Sequence, residues 1–253
     1  MSSVVYSSFV SITENIAGVR ERMAAAARRA GRRPEDIALM AVSKTFPPEE
    51  IREAFHSGMR LFGENRVQEF AGKADALRDL PGVQWHMIGH LQTNKAAKAV
   101  ELFTAVDSVD SLKLAEKLNE AAKALGKKLP VLIEINIGGE TAKSGVAAES
   151  TELEQILQAA PRFENLEFRG LMSVPPFTEN PEDARPFFRK LRAFYKNIAA
   201  RELPGVRMEV LSMGMSHDFE VAVEEGSTCV RVGTAIFGER IRGERIRGER
   251  IRR

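Results

Sequence analysis

The chain of 253 residues contains one cysteine, one tryptophan and two tyrosines. A lone cysteine, Cys229, excludes an internal disulfide and fits a reducing compartment. No run approaches eighteen apolar residues, which excludes a membrane-spanning helix. The opening MSSVVYSSFVSITENIAGVRERM has no basic segment followed by an apolar one. No export signal is therefore read there, and a cytoplasmic location is expected. Neither sign of charge dominates, with 37 Lys and Arg against 35 Asp and Glu for a net +2. Residues 239–253 hold seven arginines and three glutamates, or +4, and taking that from +2 leaves the body at −2. A nearly neutral body argues against a dedicated nucleic-acid protein, and the pI near 8.7 is largely a property of the tail. Also missing are a G-x-G-x-x-G after a strand, a Walker loop and a G-x-S-x-G. Dinucleotide, nucleotide-hydrolysing and hydrolase chemistries therefore have no support.

What is present is alternation. An opening helix is marked by Phe9, Ile12, Ile16, Val19 and Met23 at three- and four-residue spacing, ending at Gly31-Arg-Arg-Pro34. Strands are then expected over 37–44, 60–64, 83–90, 102–107, 130–137, 167–174, 206–212 and 228–234. Helical patterns fall between them at 48–57, 67–78, 92–100, 111–124, 149–160, 182–200 and 216–225. Glycine or proline punctuates several junctions, among them Gly58, Pro81-Gly82, Gly126 and Pro204-Gly205. Strict alternation implies parallel strands with right-handed crossovers, and eight of them suggest closure. The expected fold is α/β, a single (β/α)8 TIM barrel with an extra N-terminal helix, against an open doubly wound sheet. The barrel domain is taken as 1–238. Residues 239–253 form a basic tail in which GERIR repeats, a period that suits neither a helical stripe nor a strand. A solvated, partly helical tail is the plain interpretation, and an anionic partner the other.

Three stretches carry chemistry. In Ala41-Val-Ser-Lys-Thr, counting by two puts Met40, Val42 and Lys44 on one strand face. If that face is inward, Lys44 sits at the C-terminal rim, where barrel enzymes keep their reactive groups. A partly desolvated lysine is the nucleophilic amine that Schiff-base chemistry needs. The plainer alternative is a rim lysine paired with a carboxylate such as Glu64. In Leu211-Ser-Met-Gly-Met-Ser-His-Asp, small residues precede a helix and suit an anion, although Ser216 equally suits an N-cap. In Cys229-Val-Arg-Val-Gly-Thr, Arg231 within an apolar strand is costly unless a carboxylate, phosphate or ring nitrogen meets it. Gly233 and Thr234 follow at the rim, where loops after strands seven and eight frequently build a phosphate site. His86 and His90 fall on one side of the third expected strand. Without a third ligand of matching spacing, structural roles are favoured over metal.

The segments AVSKTFPPEEIREAFHSGMRLFGENRVQE, WHMIGHLQTNK, AVDSVDSLKLAEKLN, INIGGETAKSGV, RGLMSVPP and LSMGMSHDFEVAVEEGSTCVRVGTAIFG resemble the YggS/PROSC family of pyridoxal 5′-phosphate (PLP) homeostasis proteins. They run in order from the first expected strand to the last, a span of about four-fifths of the chain. The resemblance implies a single-domain PLP barrel related to the N-terminal half of alanine racemase. It implies Lys44 as the Schiff-base lysine, and Ser212 and Met213 to Ser216 as the segment wrapping the phosphate. Gly233 and Thr234 would be the second phosphate contact, Arg231 would face the cofactor ring, and Asn65 would lie near the cofactor. The repeated tail departs from the family pattern.

Carbanion chemistry on PLP relies on an acid that keeps the pyridine nitrogen protonated, whereas arginine can only donate. Racemases on this barrel add a second base, usually a tyrosine from another domain. Tyr6 falls in the N-terminal region here and Tyr195 in an outer helix, so neither is placed for it. The expectation is therefore a monomeric PLP carrier or regulator without robust catalysis, its partners being PLP, amino acids and PLP-dependent apoenzymes. The alternative is a PLP-dependent amino-acid racemase; a scaffold whose tail recruits a partner is the third reading.

Overall fold

The computed structural model describes residues 11–140 and 144–239. The GERIR repeats from residue 240 onward, together with Tyr6 and Phe9, lie outside the described residues.

Helix α1 (Ile12–Arg29) opens on a capping box, Ser11 accepting from the Glu14 N–H while the Glu14 carboxylate accepts from the Ser11 N–H at 2.9 Å. It buries Ile12, Ile16, Val19 and Met23, the stripe expected from spacing. Eight strands follow: β1 (Ala38–Val42), β2 (Leu61–Glu64), β3 (Gln84–Met87), β4 (Ala105–Val109), β5 (Leu129–Glu134), β6 (Leu166–Met172), β7 (Val206–Met215) and β8 (Cys229–Val232). Each neighbouring pair is parallel, and β1 pairs with both β2 and β8, so the sheet closes. Closure decides against the open doubly wound sheet.

The crossover helices are α2 (Pro48–His56), α3 (Val67–Ala74), α4 (Ala96–Leu102), α5 (Leu112–Ala124), α6 (Thr151–Ala159), α7 (Arg185–Ala199) and α8 (Phe219–Glu224). A short α9 (Thr234–Phe237), absent from the sequence expectation, follows β8 and meets α1, where the Asn15 side-chain amide donates to the Ile236 carbonyl at 2.9 Å. Other boundaries shift too. Leu102 ends α4 instead of starting a strand, and the 182–200 pattern divides into a 3-10 turn at Pro181–Ala184 and α7. Among the described residues, no helix is long and apolar enough to cross a membrane.

Pleating sorts the strand residues into two cores. On β1, Leu39 and Ala41 join the hydrophobic layer shared with the helices, as do Phe62, Ile133, Phe168 and Val230. Met40, Val42, Leu132, Met172 and Cys229 are equally buried but stand outside that layer, inside the barrel. The buried interior also holds Asp107, Glu134 and Arg231, so it is a packed and partly ionic core, not a pore.

Candidate functional site

Lys44 stands two residues past Val42, partly buried, in the short connection to α2. Its neighbours explain why the connection holds one shape. The Ser43 hydroxyl donates to Glu64 Oε1 at 2.6 Å. Lys73 of α3 lies 2.8 Å from the same oxygen and donates to the carbonyls of Ser43 at 3.0 Å and Phe46 at 3.4 Å. Glu64, the carboxylate considered beside Lys44, is thus held by Lys73 and Ser43. Burial raises the Glu64 pKa above the usual carboxylate range, while Lys73 and Ser43 work in the other direction.

On the other side of Lys44 the loops after β7 and β8 interlock. β7 runs on to Met215, past the expected end at Ser212, so Met213 and Gly214 are strand residues, not loop residues. Gly214 has φ +93°, and a Cβ there would lie 2.4 Å from the Ala222 Cβ, so only glycine lets β7 pass this close to α8. α8 starts after Asp218, whose carboxylate accepts the Met215 N–H at 2.6 Å. Ser216 is therefore not the N-cap of that helix. Its Oγ instead accepts the backbone N–H groups of Gly233 at 3.1 Å and Ala235 at 3.3 Å. Thr234, between them, is exposed. Gly233 abuts Val42, and the rings of Phe46 and Phe237 stack with centroids 4.7 Å apart. Strand closure therefore brings the Lys44 connection against the segment that carries Gly233 and Thr234.

Arg231 lies deeper, only 3% exposed. Its Nη1 donates to Ser212 Oγ at 2.7 Å and its Nη2 to the Ser173 carbonyl at 2.8 Å. Burial pulls its pKa down, opposed by Cys229, Asp107, Glu134 and Asp218, but a guanidinium starts so high that it stays cationic. Next to it the Cys229 thiol is pushed up to about 12, chiefly by burial, which leaves it unreactive. Met213 departs from the rest of the expected set. Its side chain belongs to the hydrophobic layer under the helices, and its carbonyl accepts from the Ser227 hydroxyl at 2.8 Å. Asn65, partly buried just past β2, packs on Gly89: a Cβ there would lie 2.4 Å from the Asn65 carbonyl oxygen.

That close approach falls just past the end of β3 at Met87, so His90 is outside the strand, exposed, and 2.8 Å from Asp110. His86 remains on β3, and its Nδ1 lies 3.1 Å from both carboxylate oxygens of Asp107. The two histidines thus answer to different acids. Among the described residues, no group of three or more His, Cys, Asp or Glu is arranged to hold a metal ion. Tyr195 sits on α7 and donates to the Met208 carbonyl in the outer layer. The sequence reading missed Asp107, Ser173 and Lys73. Asp107 had a usable signal, since Ala105-Val-Asp-Ser-Val is as anomalous for a buried strand as Cys229-Val-Arg-Val. Ser173 acts through its carbonyl and has none. Two open clefts of about 460 and 410 Å³ lie at the N-terminal ends of the strands, the rim opposite Lys44.

Residues 15–241 match the family described as alanine racemase, N-terminal domain. The chain is 46% identical to the pyridoxal phosphate homeostasis protein of Aquifex aeolicus over 90% of this chain and 97% of that one. It is 42% identical to the Escherichia coli protein of the same name, again over 90% of this chain and 97% of that one. Among solved structures, PipY of Synechococcus elongatus with PLP bound superposes with a TM-score of 0.78 at 37% identity, covering 90% of this chain and all of PipY. Alanine racemase of Streptomyces coelicolor, at 24% identity and TM-score 0.65 over 89% of this chain and 59% of the racemase, shares the fold. The barrel and these identities over nearly the whole chain agree: the chain belongs to the YggS family of pyridoxal phosphate homeostasis proteins, built on the barrel of the alanine racemase N-terminal domain.

Proposed function

We propose that this chain holds PLP at the C-terminal mouth of the barrel, bound as a Schiff base to Lys44, and serves PLP homeostasis without robust catalysis. The observation that carries this reading is the convergence of the Gly233 and Ala235 N–H groups on Ser216, beside the connection that bears Lys44. A hydroxyl and two backbone N–H groups that would exchange Ser216 Oγ for a phosphate oxygen form a donor set that fits a phosphate. The names of the relatives and the PLP in PipY point the same way.

When bound, PLP would supply an electrophilic aldehyde and an anionic handle. Ser216, Gly233 and Thr234 would receive the phosphate, with the backbone around Met213 completing the wrap. Lys44 would supply the amine that a Schiff base with that aldehyde requires. Arg231, Ser212 and Asn65 would be the residues toward the ring. Arg231 is already bonded to Ser212 and Ser173, and as a cation it can only donate, which disfavours a protonated pyridine nitrogen. Tyr195 bonds its own outer layer, so it is not offered as a second base. The arginine alone does not separate the two, since racemases on this barrel tolerate it by adding a second base; the placement of Tyr195 favours a carrier over a racemase, the reading kept second because the fold is shared with one. Exchange of Lys44 for another amine would release the cofactor to amino acids or apoenzymes. We take the protein as monomeric and cytoplasmic, with residues 1–238 as the binding unit and 239–253 as an appended tail.

The test is the visible absorbance of the protein mixed with PLP. A Schiff-base band that disappears in Lys44→Ala is expected, and a band unchanged in that variant overturns the assignment. Lys44-dependent racemisation at ordinary enzyme rates would replace the carrier reading with the second one.

A further inference from the structure

We infer that Lys73 and Glu69 are positioning residues for Lys44, a clamp from α3 that fixes the five-residue connection on which the amine sits. The inference rests on the Lys44 reading above and deepens it.

The geometry is specific to the connection. The Lys73 ammonium takes the carbonyl of Ser43 on one side of Lys44-Thr45 and that of Phe46 on the other. Between them the Thr45 N–H donates to Glu69 Oε1. Lys73 lies 3.5 Å from that same glutamate oxygen, so one cation and one anion of α3 grip three successive points of the chain. Thr45 has φ +69°, a left-handed conformation that a β-branched residue avoids. Such a conformation persists only where its surroundings over-determine it, and this grip supplies those surroundings. Glu64, fully buried, provides the counter-charge that lets Lys73 be 8% exposed, and it also takes the Ser43 hydroxyl. An ion pair serving only to join α3 to β2 would have no need of two carbonyls from the β1–α2 connection. With both flanking carbonyls pinned, the Lys44 backbone cannot swing, and its amine is presented to the mouth at little entropic cost.

The experiment uses the full chain with Lys73→Met and, since that variant removes a buried charge, Glu69→Ala as a second, more exposed change. Two measurements are made without cofactor: amide hydrogen exchange at Thr45 and Phe46, and competitive acetylation of Lys44. Two more use ligands: the Schiff-base band on titration with PLP, and binding of pyridoxine 5′-phosphate, which has the ring and phosphate but no aldehyde. Both variants are expected to speed exchange at Thr45 and to weaken the Schiff-base equilibrium about tenfold or more, with pyridoxine 5′-phosphate binding within about twofold of wild type. Acetylation of Lys44 should change while that of exposed Lys113 does not. If Glu69→Ala leaves exchange, acetylation and the PLP titration unchanged, the clamp is overturned. It is equally overturned if PLP and pyridoxine 5′-phosphate weaken in parallel in that variant. Lys44→Ala separates the two ideas: a band that survives it defeats the Lys44 assignment, while the cofactor-free measurements still judge the clamp.

Discussion

The Ser216 hydroxyl oxygen and the Gly233 N–H are 3.1 Å apart, a bond that ties the loop after β7 to the loop after β8. Gly233 in turn rests on Val42 of β1. One serine thus holds two backbone donors in place and joins the expected phosphate segment to the strand that leads to Lys44. On binding, these gathered N–H groups would pass from Ser216 Oγ to an anion without the entropic cost of bringing them together.

Ser216→Ala should therefore raise the dissociation constant for PLP by roughly tenfold, or about 1.4 kcal/mol. Titration followed by the Schiff-base band measures it. An affinity equal to wild type would remove Ser216 from the phosphate site.

Gly214→Ala tests the passage of β7 past α8. The positive φ and the 2.4 Å approach to Ala222 leave no room for a methyl group. A loss of about 2 to 4 kcal/mol is expected from backbone strain and overpacking together. Chemical denaturation of both proteins gives the difference, and a change under about 0.5 kcal/mol, the size of an ordinary surface substitution, would contradict the account.

His86 should titrate above an unperturbed histidine. Burial alone would lower its pKa, but the Asp107 charge and hydrogen bond outweigh burial and raise it. With the folded pKa raised, the stabilisation from this pair is fully present below about pH 6.5, the unfolded value, and fades as pH rises through the folded pKa. Proton NMR of the His86 ring across pH 5 to 9, about the range where histidines titrate, should show this, with Asp107→Asn moving the midpoint down. A midpoint below the free value in the wild-type chain would reverse the sign of the argument.

Acid should loosen the contact of α1 and α7 with α8. Arg185 lies 2.7 Å from both Glu224 and Glu225, and Arg29 2.7 Å from Glu224. Burial works to raise the pKa of both glutamates, but their arginine partners prevail and hold them below the usual range. Folded values that are depressed give stability above about pH 4.3, lost as pH falls through them. The denaturation midpoint should fall on acidification, and Arg185→Met should flatten that dependence while costing about 1 kcal/mol near neutrality. Equal acid sensitivity in wild type and variant would remove these pairs as its source.

Sequence alone determined the alternation of eight apolar runs with amphipathic stretches, because pleat and helix periods are written locally and the outer faces are apolar throughout. It also isolated Lys44 and Arg231, since a charge in or at the end of an apolar run is conspicuous, although β1 stops at Val42 and leaves Lys44 in the connection beyond it. The quoted motifs then pointed to the family, which the match over residues 15–241 and the identities bear out. Strand ends were less legible. β3 stops at Met87, shortly before the Asn65 carbonyl crowds Gly89, a contact between residues far apart in sequence. Closure of the sheet, which sets β8 beside β1, was decided only in three dimensions, and with it the approach of Ser216, Gly233 and Val42. The same holds for partners. Glu64, at the end of the expected second strand, was a candidate rim partner for Lys44, and α3 delivers Lys73 to it across the β2–α3 turn. A charge announces itself in sequence because its desolvation is costly anywhere; which group offsets that cost depends on packing, and packing is settled only by the folded chain.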